Sequence, residues 1–241
     1  MVRTEFHVHT NASHDSLMGG SALLRMCKKK GIDCVAITDH KEIEGAMAVK
    51  PLLEDNGVHV IVGEEVFTSE GEIIGLWLSE RIEPGLTPDQ TVSEIRRQGG
   101  FVCVPHPYDE KRYMTVLARE ALFRIAFDVD CIETHNGRNV DARFDDEQEA
   151  AYAQAAAINP DIRRVIGCDA HCPFEIGRNV VVTESPITRE EFPRCLDGAL
   201  FEPSFCHPWA HGATRVARLI KMVKGGDLRG IARILTRKLS R

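Results

Sequence analysis

Short apolar runs rich in β-branched residues alternate along the chain with segments whose apolar residues recur at helical spacing. Strands that alternate with helices in this way predict an α/β fold with a largely parallel sheet or barrel. The predicted strands are Glu5–His9, Cys34–Thr38, His59–Val62, Ile73–Leu78, Phe101–Val104, Cys131–Glu133, Val165–Ile166 and Asn179–Val182. The predicted helices between them are Gly20–Lys30, Glu42–Asn56, Pro88–Gln98, Leu117–Phe127 and Asp145–Asn159.

Polar clusters follow five of these strands, at the point where each apolar run ends. The clusters read HVHT, TDH, GEEV, PHP and CDAH, after the first, second, third, fifth and seventh strands. Because the carboxyl ends of parallel strands share one face of an α/β fold, we expect these clusters to assemble a single site there.

The composition changes near Pro203–Pro208, which predicts a domain of residues 1–204 followed by a helical extension of residues 205–241. In the extension, apolar residues recur at helical spacing, and Gly225-Gly226 predicts a break between two helices.

The extension carries nine Lys and Arg against Asp227 alone, a net charge of +8, so the −6 of the whole chain leaves −14 on residues 1–204. An acidic body argues against a broad basic face for nucleic acid. The extension itself has two open interpretations: it packs back on the acidic body, or its basic helix contacts anionic lipid or RNA.

The sequence also indicates the cellular compartment. No stretch of about 18 apolar residues is present to form a transmembrane segment, and no apolar leader follows Met1. The eight cysteines include no C-x-x-C pair, so we expect small core residues in a reducing compartment, not a disulfide framework or a zinc ribbon. These features predict a cytoplasmic protein.

The polar clusters have the composition of a metal site. His7 and His9 are two residues apart on a predicted strand, so their side chains point to the same face and both can reach one ion. An isolated H-x-H pair is more often exposed to solvent, but here carboxylates and imidazoles end several other core strands. Burying so many together is unfavourable unless they are paired or bind cations. Nitrogen and oxygen ligands without clustered thiolates favour Zn, Mn or Fe, and eight or so ligands suffice for two or three ions.

Five motifs occur in an order that resembles a known family. HVHTNASHDS, AITDH, GEEV, the HP of VPHPYD, and GCDAH resemble the motifs of the PHP (polymerase and histidinol phosphatase) superfamily, over about residues 4–184. The resemblance implies a distorted, TIM-like (β/α)7 barrel, a site for two or three metal ions, and phosphoesterase activity. The metal ligands that it implies are His7, His9, Asp15, His40, Glu65, His106, Asp169 and His171.

Three positions leave the choice of residues open. Glu72, in EGEIIGLWL, stands where the superfamily often has a further metal-binding His, so Glu72 is a ligand or the third metal is weak or absent. His14 competes with the adjacent Asp15 as a ligand. His135, in IETHNGR, stands where close relatives have an aromatic residue.

Four residues are predicted to bind substrate. Arg112, Asn136 and Arg138 match positions that face the substrate in nearer members of the superfamily, and His135 lies beside them in the sequence. Arginine suits this role because its planar guanidinium binds phosphate through two parallel hydrogen bonds.

The predicted reaction is hydrolysis of a phosphate ester by a metal-activated hydroxide, because bound cations bring the pKa of water toward ~7. The ions and Arg138 are predicted to stabilise charge on the phosphoryl oxygens. His9, His171 or His135 is predicted to protonate the leaving group, and Asp39 to orient a ligating imidazole.

The predicted substrate is a small phosphomonoester such as a nucleotide. Two alternatives stay open: exonuclease or phosphodiesterase action on short nucleic-acid ends, and a PHP module that binds metal without catalysis.

Overall fold

Seven strands close into a barrel in the computed structural model, which describes residues 1–112, 115–139 and 142–227. Each strand pairs with the next along the chain, and the first strand pairs with both the second and the seventh. The predicted seven-stranded α/β barrel is therefore confirmed. The barrel strands are β1 (Val2–Val8), β2 (Cys34–His40), β3 (His59–Thr68), β4 (Gly71–Leu76), β5 (Phe101–Val104), β6 (Cys131–Asn136) and β7 (Arg163–Ala170).

The sheet is less parallel than the sequence predicted. Strand β4 runs antiparallel to both of its neighbours, and its pairing with β3 forms a hairpin in which Thr68 faces Gly71 across a tight turn. Gly71 has a φ of 123°, which L side chains rarely adopt. The apolar pattern predicted that this strand ends before Glu64 and Glu65. Because β3 continues to Thr68, both residues instead lie inside it.

Two further strands extend the sheet outward from β1. Strand β8 (Val180–Thr183) is antiparallel to β1, and β9 (Leu200–Glu202) is antiparallel to β8. The sequence predicted β8 but not β9, because β9 has only three residues, two of them exposed, and is too short to show a strand pattern.

The helices follow the predicted positions, with bounds that differ by a few residues. Helix α3 begins at Pro88 because Thr87 and Gln90 form a capping box around its first turn. Helix α1 ends at Lys30, and the Gly31 that follows has the left-handed φ of 63° that commonly terminates a helix. The helices are α1 (Gly20–Lys30), α2 (Glu44–Glu54), α3 (Pro88–Arg97), α4 (Arg119–Ile125), α5 (Arg143–Ala156) and α6 (Trp209–Lys224).

Helix α6 belongs to the predicted basic extension. It ends at Lys224, with Gly225 as its C-terminal cap, at the break that the glycine pair predicted. The second helix predicted for the extension, around Leu228–Leu235, lies outside the described residues. In the part of the chain that the structure describes, no helix is long and apolar enough to cross a membrane.

The buried apolar residues form two clusters. The larger one joins the inner faces of the helices to the strands, and it includes Leu23, Leu53, Ile95 and Leu122. The smaller one is built mainly from barrel strands and is covered by residues between β8 and β9, such as Phe192. Six cysteines are buried and all eight are free, as expected for core residues.

Candidate metal centre

The eight side chains predicted as metal ligands meet at one end of the barrel. They come from the carboxyl ends of β1, β2 and β7, from inside β3, and from the loops that follow β1, β5 and β7. Seven are buried, and His40 is partly buried. The separations between their nitrogen and oxygen atoms divide the donors into three groups that share members.

His7, His9, Glu65 and Asp169 form the first group. Nε2 of His7 lies 3.3 Å from Oε1 of Glu65 and 3.8 Å from Oδ1 of Asp169. Nε2 of His9 lies 3.5 Å from Oε2 of Glu65 and 3.4 Å from the same Asp169 oxygen. Both imidazoles therefore turn Nε2 toward the same two carboxylates.

The second group contains Glu65, Glu72, His106 and His40. Nε2 of His106 lies 3.1 Å from Oε1 of Glu65 and 3.8 Å from Oε2 of Glu72. Nδ1 of His40 lies 2.9 Å from Oε2 of Glu65 and 3.8 Å from Oε1 of Glu72. The structure thus places Glu72 among the donors and Glu65 between the first two groups. The adjacent Glu64 lies apart and accepts a hydrogen bond from the backbone N–H of Ile82 at 2.8 Å.

The third group consists of Asp15, His40 and His171. Oδ1 of Asp15 lies 3.3 Å from Nε2 of His171 and 3.6 Å from Nε2 of His40. His14 stands at the edge, with a side chain that is 57% exposed and Nε2 3.7 Å from the other Asp15 oxygen. The buried Asp15 is therefore better placed as a donor than the exposed His14.

The donor atoms have the spacing of a coordination shell. Ligand atoms about 2.1 Å from a tetrahedral ion lie roughly 3.4 Å from one another, close to most of the separations above. Nε2 of His7, Nε2 of His9 and Oδ1 of Asp15 are buried without a hydrogen-bond partner in the described part of the chain. Buried polar atoms without partners are unfavourable, and cations would satisfy all three. The donor set therefore fits divalent metal ions.

Three of the donors have an unusual backbone conformation. His7, His106 and Asp169 have φ angles of 67°, 30° and 53°. Positive φ is uncommon for residues with a side chain, and such strain persists at functional sites where the surrounding contacts enforce it. Here it turns each side chain into the cluster.

Glu133 holds two donors in place, and the sequence did not identify it. Oε1 of Glu133 lies 2.8 Å from Nδ1 of His7, and Oε2 accepts from the backbone N–H of His106 at 2.8 Å and from Nδ2 of Asn136 at 2.9 Å. With Nδ1 of His7 occupied, Nε2 is the nitrogen left for a metal ion. The available signal was a lone acid at the end of the apolar run in the strand that became β6.

Asp39 acts on the imidazoles through Ser13 and not by direct contact. Its Oδ1 accepts from the hydroxyl of Ser13 at 2.5 Å, and Thr10 donates to the same carboxylate through its N–H and its hydroxyl. The Ser13 oxygen in turn lies 3.1 Å from Nδ1 of His9 and accepts from the backbone N–H of His40 at 3.0 Å. Ser13, and not Asp39, therefore contacts the imidazole of His9, and Asp39 holds Ser13 in place.

The two predicted arginines line the cleft above the donors, and each already contacts a carboxylate. Nη2 of Arg112 lies 2.7 Å from Oδ2 of Asp169. Arg138 donates at 2.9 Å to Glu175, whose Oε2 also accepts from the backbone N–H of His171. The arginines are therefore connected to two of the candidate donors, Arg112 to Asp169 directly and Arg138 to His171 through Glu175.

The other two predicted substrate-binding residues do not line the cleft. Asn136 uses its amide to accept from Arg112 and Arg138 and to donate to Glu133, so it positions other side chains. His135 is buried, and its Nδ1 lies 2.9 Å from Oδ1 of Asp145 on α5. Neither side chain is presented to a molecule in the cleft.

The charges of the cluster shift several pKa values. Burial acts to lower the pKa of His40, but Glu65 and other carboxylates outweigh it and raise this pKa to about 9. Burial raises the pKa of Glu72 to about 8, with Glu65 adding to the effect. Burial and the neighbouring imidazoles keep the pKa of His9 well below its usual range. Without cations, Glu72 and His40 therefore hold protons near neutral pH, and metal binding would release them.

A cleft of about 690 Å³ opens over the donors, and helix α6 forms one of its walls. Nη2 of Arg218 lies 3.1 Å from Oδ2 of Asp15, and Nζ of Lys221 donates to the backbone oxygens of Asn11 and Ser13. The extension therefore packs against the acidic body through two of its basic residues. Its proposed contact with anionic lipid or RNA stays a prediction.

The fold and the donor set define a metal-binding α/β barrel protein with its site at one end of the barrel. Residues 5–175 match the family model of the PHP domain. The chain belongs to the PHP domain family.

Two relatives and one solved structure are similar to the chain. The chain is 43% identical over 117 residues to an uncharacterised protein of Methanocaldococcus jannaschii, covering 44% of this chain and 68% of the relative. It is 30% identical over 178 residues to a second uncharacterised protein of that organism, covering 73% of this chain and 68% of the relative. In structure it resembles a two-domain protein from Bacteroides vulgatus that contains a predicted PHP-like metal-dependent phosphoesterase. The TM-score is 0.61 at 18% identity, over 83% of this chain and 65% of the other.

Proposed function

We propose that the protein hydrolyses a phosphate monoester with two or three divalent ions, Mn, Zn or Fe, held by the three donor groups. The observation that carries the proposal is the combination, in one cleft, of a shared donor set with arginines placed directly above it. Arg112 lies 2.7 Å from Asp169, so a phosphoryl group bound to ions at the first donor group would also be within reach of its guanidinium. Membership of the PHP family supports phosphoester hydrolysis in general.

Glu65 would help to hold ions at both the first and the second donor group, because each of its oxygens faces one imidazole of each group. Bound there, such ions would supply positive charge to the attacking and leaving oxygens and would lower the pKa of water. The chain's own part is to fix the ligands through Glu133 and Ser13, and to bind the phosphoryl oxygens through Arg112 and Arg138.

The geometry favours ligand roles for two of the three predicted proton donors. His9 has Nδ1 next to Ser13, and His171 has Nδ1 2.9 Å from the backbone oxygen of Asp169. In both rings Nε2 is turned toward carboxylates, as a metal ligand would be. His135 lies behind the cleft. We therefore propose that water in the cleft protonates the leaving group.

The test compares phosphate esters and metals on the purified protein. The wild type, stripped with a chelator and reloaded with Mn, Zn, Fe or Mg, is assayed on a panel of phosphate monoesters and diesters. The double variant His7→Ala/His9→Ala should lose at least about 100-fold in turnover, because metal catalysis supplies several kcal/mol. His59→Ala, at an exposed histidine on the opposite end of β3, is the matched control and should keep full activity.

The outcomes separate the proposal from its alternatives. A preference for monoesters supports a phosphatase, and a preference for diesters supports action on nucleic-acid ends. Tight metal binding without cleavage of any ester would support a non-catalytic module. Undiminished turnover by the double variant would exclude the metal mechanism.

A further inference from the structure

Helix α6 lies beyond residues 5–175, which match the family model, yet it forms part of the cleft. Arg218 contacts Asp15, and Lys221 donates to two backbone oxygens of the loop that carries Asp15. Ala210 and Ala217 are the buried residues of the helix, and their small side chains allow it to approach the barrel closely. The helix is thus attached at the site and not at a distant surface.

The side of α6 that faces the cleft carries polar and basic groups at helical spacing. His211, Thr214, Arg215 and Arg218 line the cleft, whereas Val216 and Val223 are exposed on another side. Arg215 has no carboxylate partner among residues 1–112, 115–139 and 142–227. Arg112 and Arg138, on the barrel wall, are each already paired with an acid. Arg215 is therefore a cation that lines the cleft without such a partner.

Arg218 and a metal ion would compete for the same carboxylate. Its guanidinium contacts Oδ2 of Asp15, while Oδ1 faces the imidazoles of His40 and His171. A divalent ion at this third donor group attracts the carboxylate more strongly than a single positive charge, and it also repels the guanidinium. Metal binding would therefore weaken the contact between Arg218 and Asp15.

We propose that α6 is the second anion-binding wall of the site. Arg218 moves from Asp15 into the cleft when a cation binds the third donor group, and together with Arg215 it binds oxyanion groups of the substrate. This inference rests on the proposed function in one respect, that the ligand is a phosphate ester. It assigns substrate recognition to residues outside the matched PHP segment.

Inorganic phosphate is the probe that tests whether Arg215 and Arg218 bind an anion. Its affinity for the Mn-loaded protein is measured by calorimetry, alongside KM and kcat for the best monoester. Arg215→Gln and Arg218→Gln should each weaken phosphate binding and raise KM by about 10-fold, because each removes a charged hydrogen bond. Lys224→Gln, a basic residue of the same helix that does not line the cleft, is the matched control and should change neither value. Arg218→Lys should restore only part of the affinity, because an ammonium group cannot form the bidentate contact.

The competition for Asp15 is tested without any substrate. Calorimetric titration with Mn should show tighter binding in Arg218→Gln than in the wild type, whereas Lys224→Gln should match the wild type. Thermal unfolding of each variant checks that α6 stays folded.

Two results would overturn the inference: phosphate affinity within twofold of the wild type in both arginine variants, or no phosphate binding by the wild type itself. Both leave the hydrolase proposal standing if esters are cleaved. Conversely, arginine-dependent phosphate binding without cleavage of any ester would support this wall and contradict the proposed function.

Discussion

Gly167 on β7 lies directly against the carboxylate of Glu133, and a Cβ atom placed on Gly167 would come within 1.8 Å of Oε1 of Glu133. That oxygen is the one that contacts Nδ1 of His7. The absence of a side chain at Gly167 therefore allows Glu133 to reach His7.

Gly167→Ala should disturb the site as well as the fold. The added methyl group must push Glu133 away, so we expect a loss of about 1–3 kcal/mol in the free energy of unfolding. Metal affinity should fall as well. Urea unfolding and calorimetric Mn titration measure the two effects. Gly212→Ala is the control, because a Cβ there meets nothing within 4 Å, and it should be neutral or slightly stabilising in helix α6. Unchanged metal affinity in Gly167→Ala would show that Glu133 has no influence on the donors.

Glu133→Gln tests the carboxylate without adding bulk. The amide keeps the shape of the side chain but removes the charge that orients His7 and increases its basicity. We expect metal affinity to fall by about 10- to 100-fold, as for other groups that support a ligating histidine. The measurement is Mn or Zn titration at constant pH. Wild-type affinity in this variant would contradict the role of Glu133.

The neighbouring acids Glu64 and Glu65 offer a paired comparison within one strand. Glu65 faces four imidazoles of the cluster, whereas Glu64 points elsewhere and accepts from the backbone of Ile82. Glu65→Gln should abolish activity and remove at least one bound ion, while Glu64→Gln should keep the full metal content. Elemental analysis of both proteins after dialysis decides the matter. Loss of metal from Glu64→Gln alone would reverse the assignment.

The sequence indicated the side chains that meet at this end of the barrel, but not Glu133, which holds two of them in place. His7, His106 and Asp169 were visible because each interrupts or ends an apolar run, and a polar residue at that position in an α/β barrel reaches the common rim. Glu133 also ends an apolar run, but its contact with His7 depends on the space left by Gly167, 34 positions further along the chain.

The sequence also did not predict the contacts between elements that are distant along the chain. The pairing of Arg218 with Asp15 depends on how closely helix α6 packs against the barrel through Ala210 and Ala217. The antiparallel direction of β4 depends on the turn at Gly71. Local periodicity indicates elements, but it does not indicate where an element packs or in which direction a short strand runs.

Glu5 should make the stability of the metal-free protein depend on pH. Burial raises its pKa to about 7 from an ordinary value of 4.5, although the N–H of Gly177 partly opposes the shift. Because the folded-state pKa is the higher one, the folded state favours the protonated form. That contribution to stability is fully present below pH 4.5 and is lost as the pH rises through about 7.

The comparison of wild type with Glu5→Gln isolates this group. A pKa raised from 4.5 to about 7 corresponds to roughly 3 kcal/mol. Urea unfolding in the presence of a chelator, from pH 4.5 to 8, should show the wild type losing about that much relative to the variant. Parallel stability curves for the two proteins would contradict a protonated, buried Glu5.

Anomalous diffraction from crystals soaked in Mn tests the central claim most directly. We expect two or three peaks inside the donor set, each about 2.0–2.2 Å from ligand atoms, with Glu65 close to more than one of them. A soaked crystal with no peak among these histidines and carboxylates, or with manganese bound only elsewhere on the surface, would contradict it.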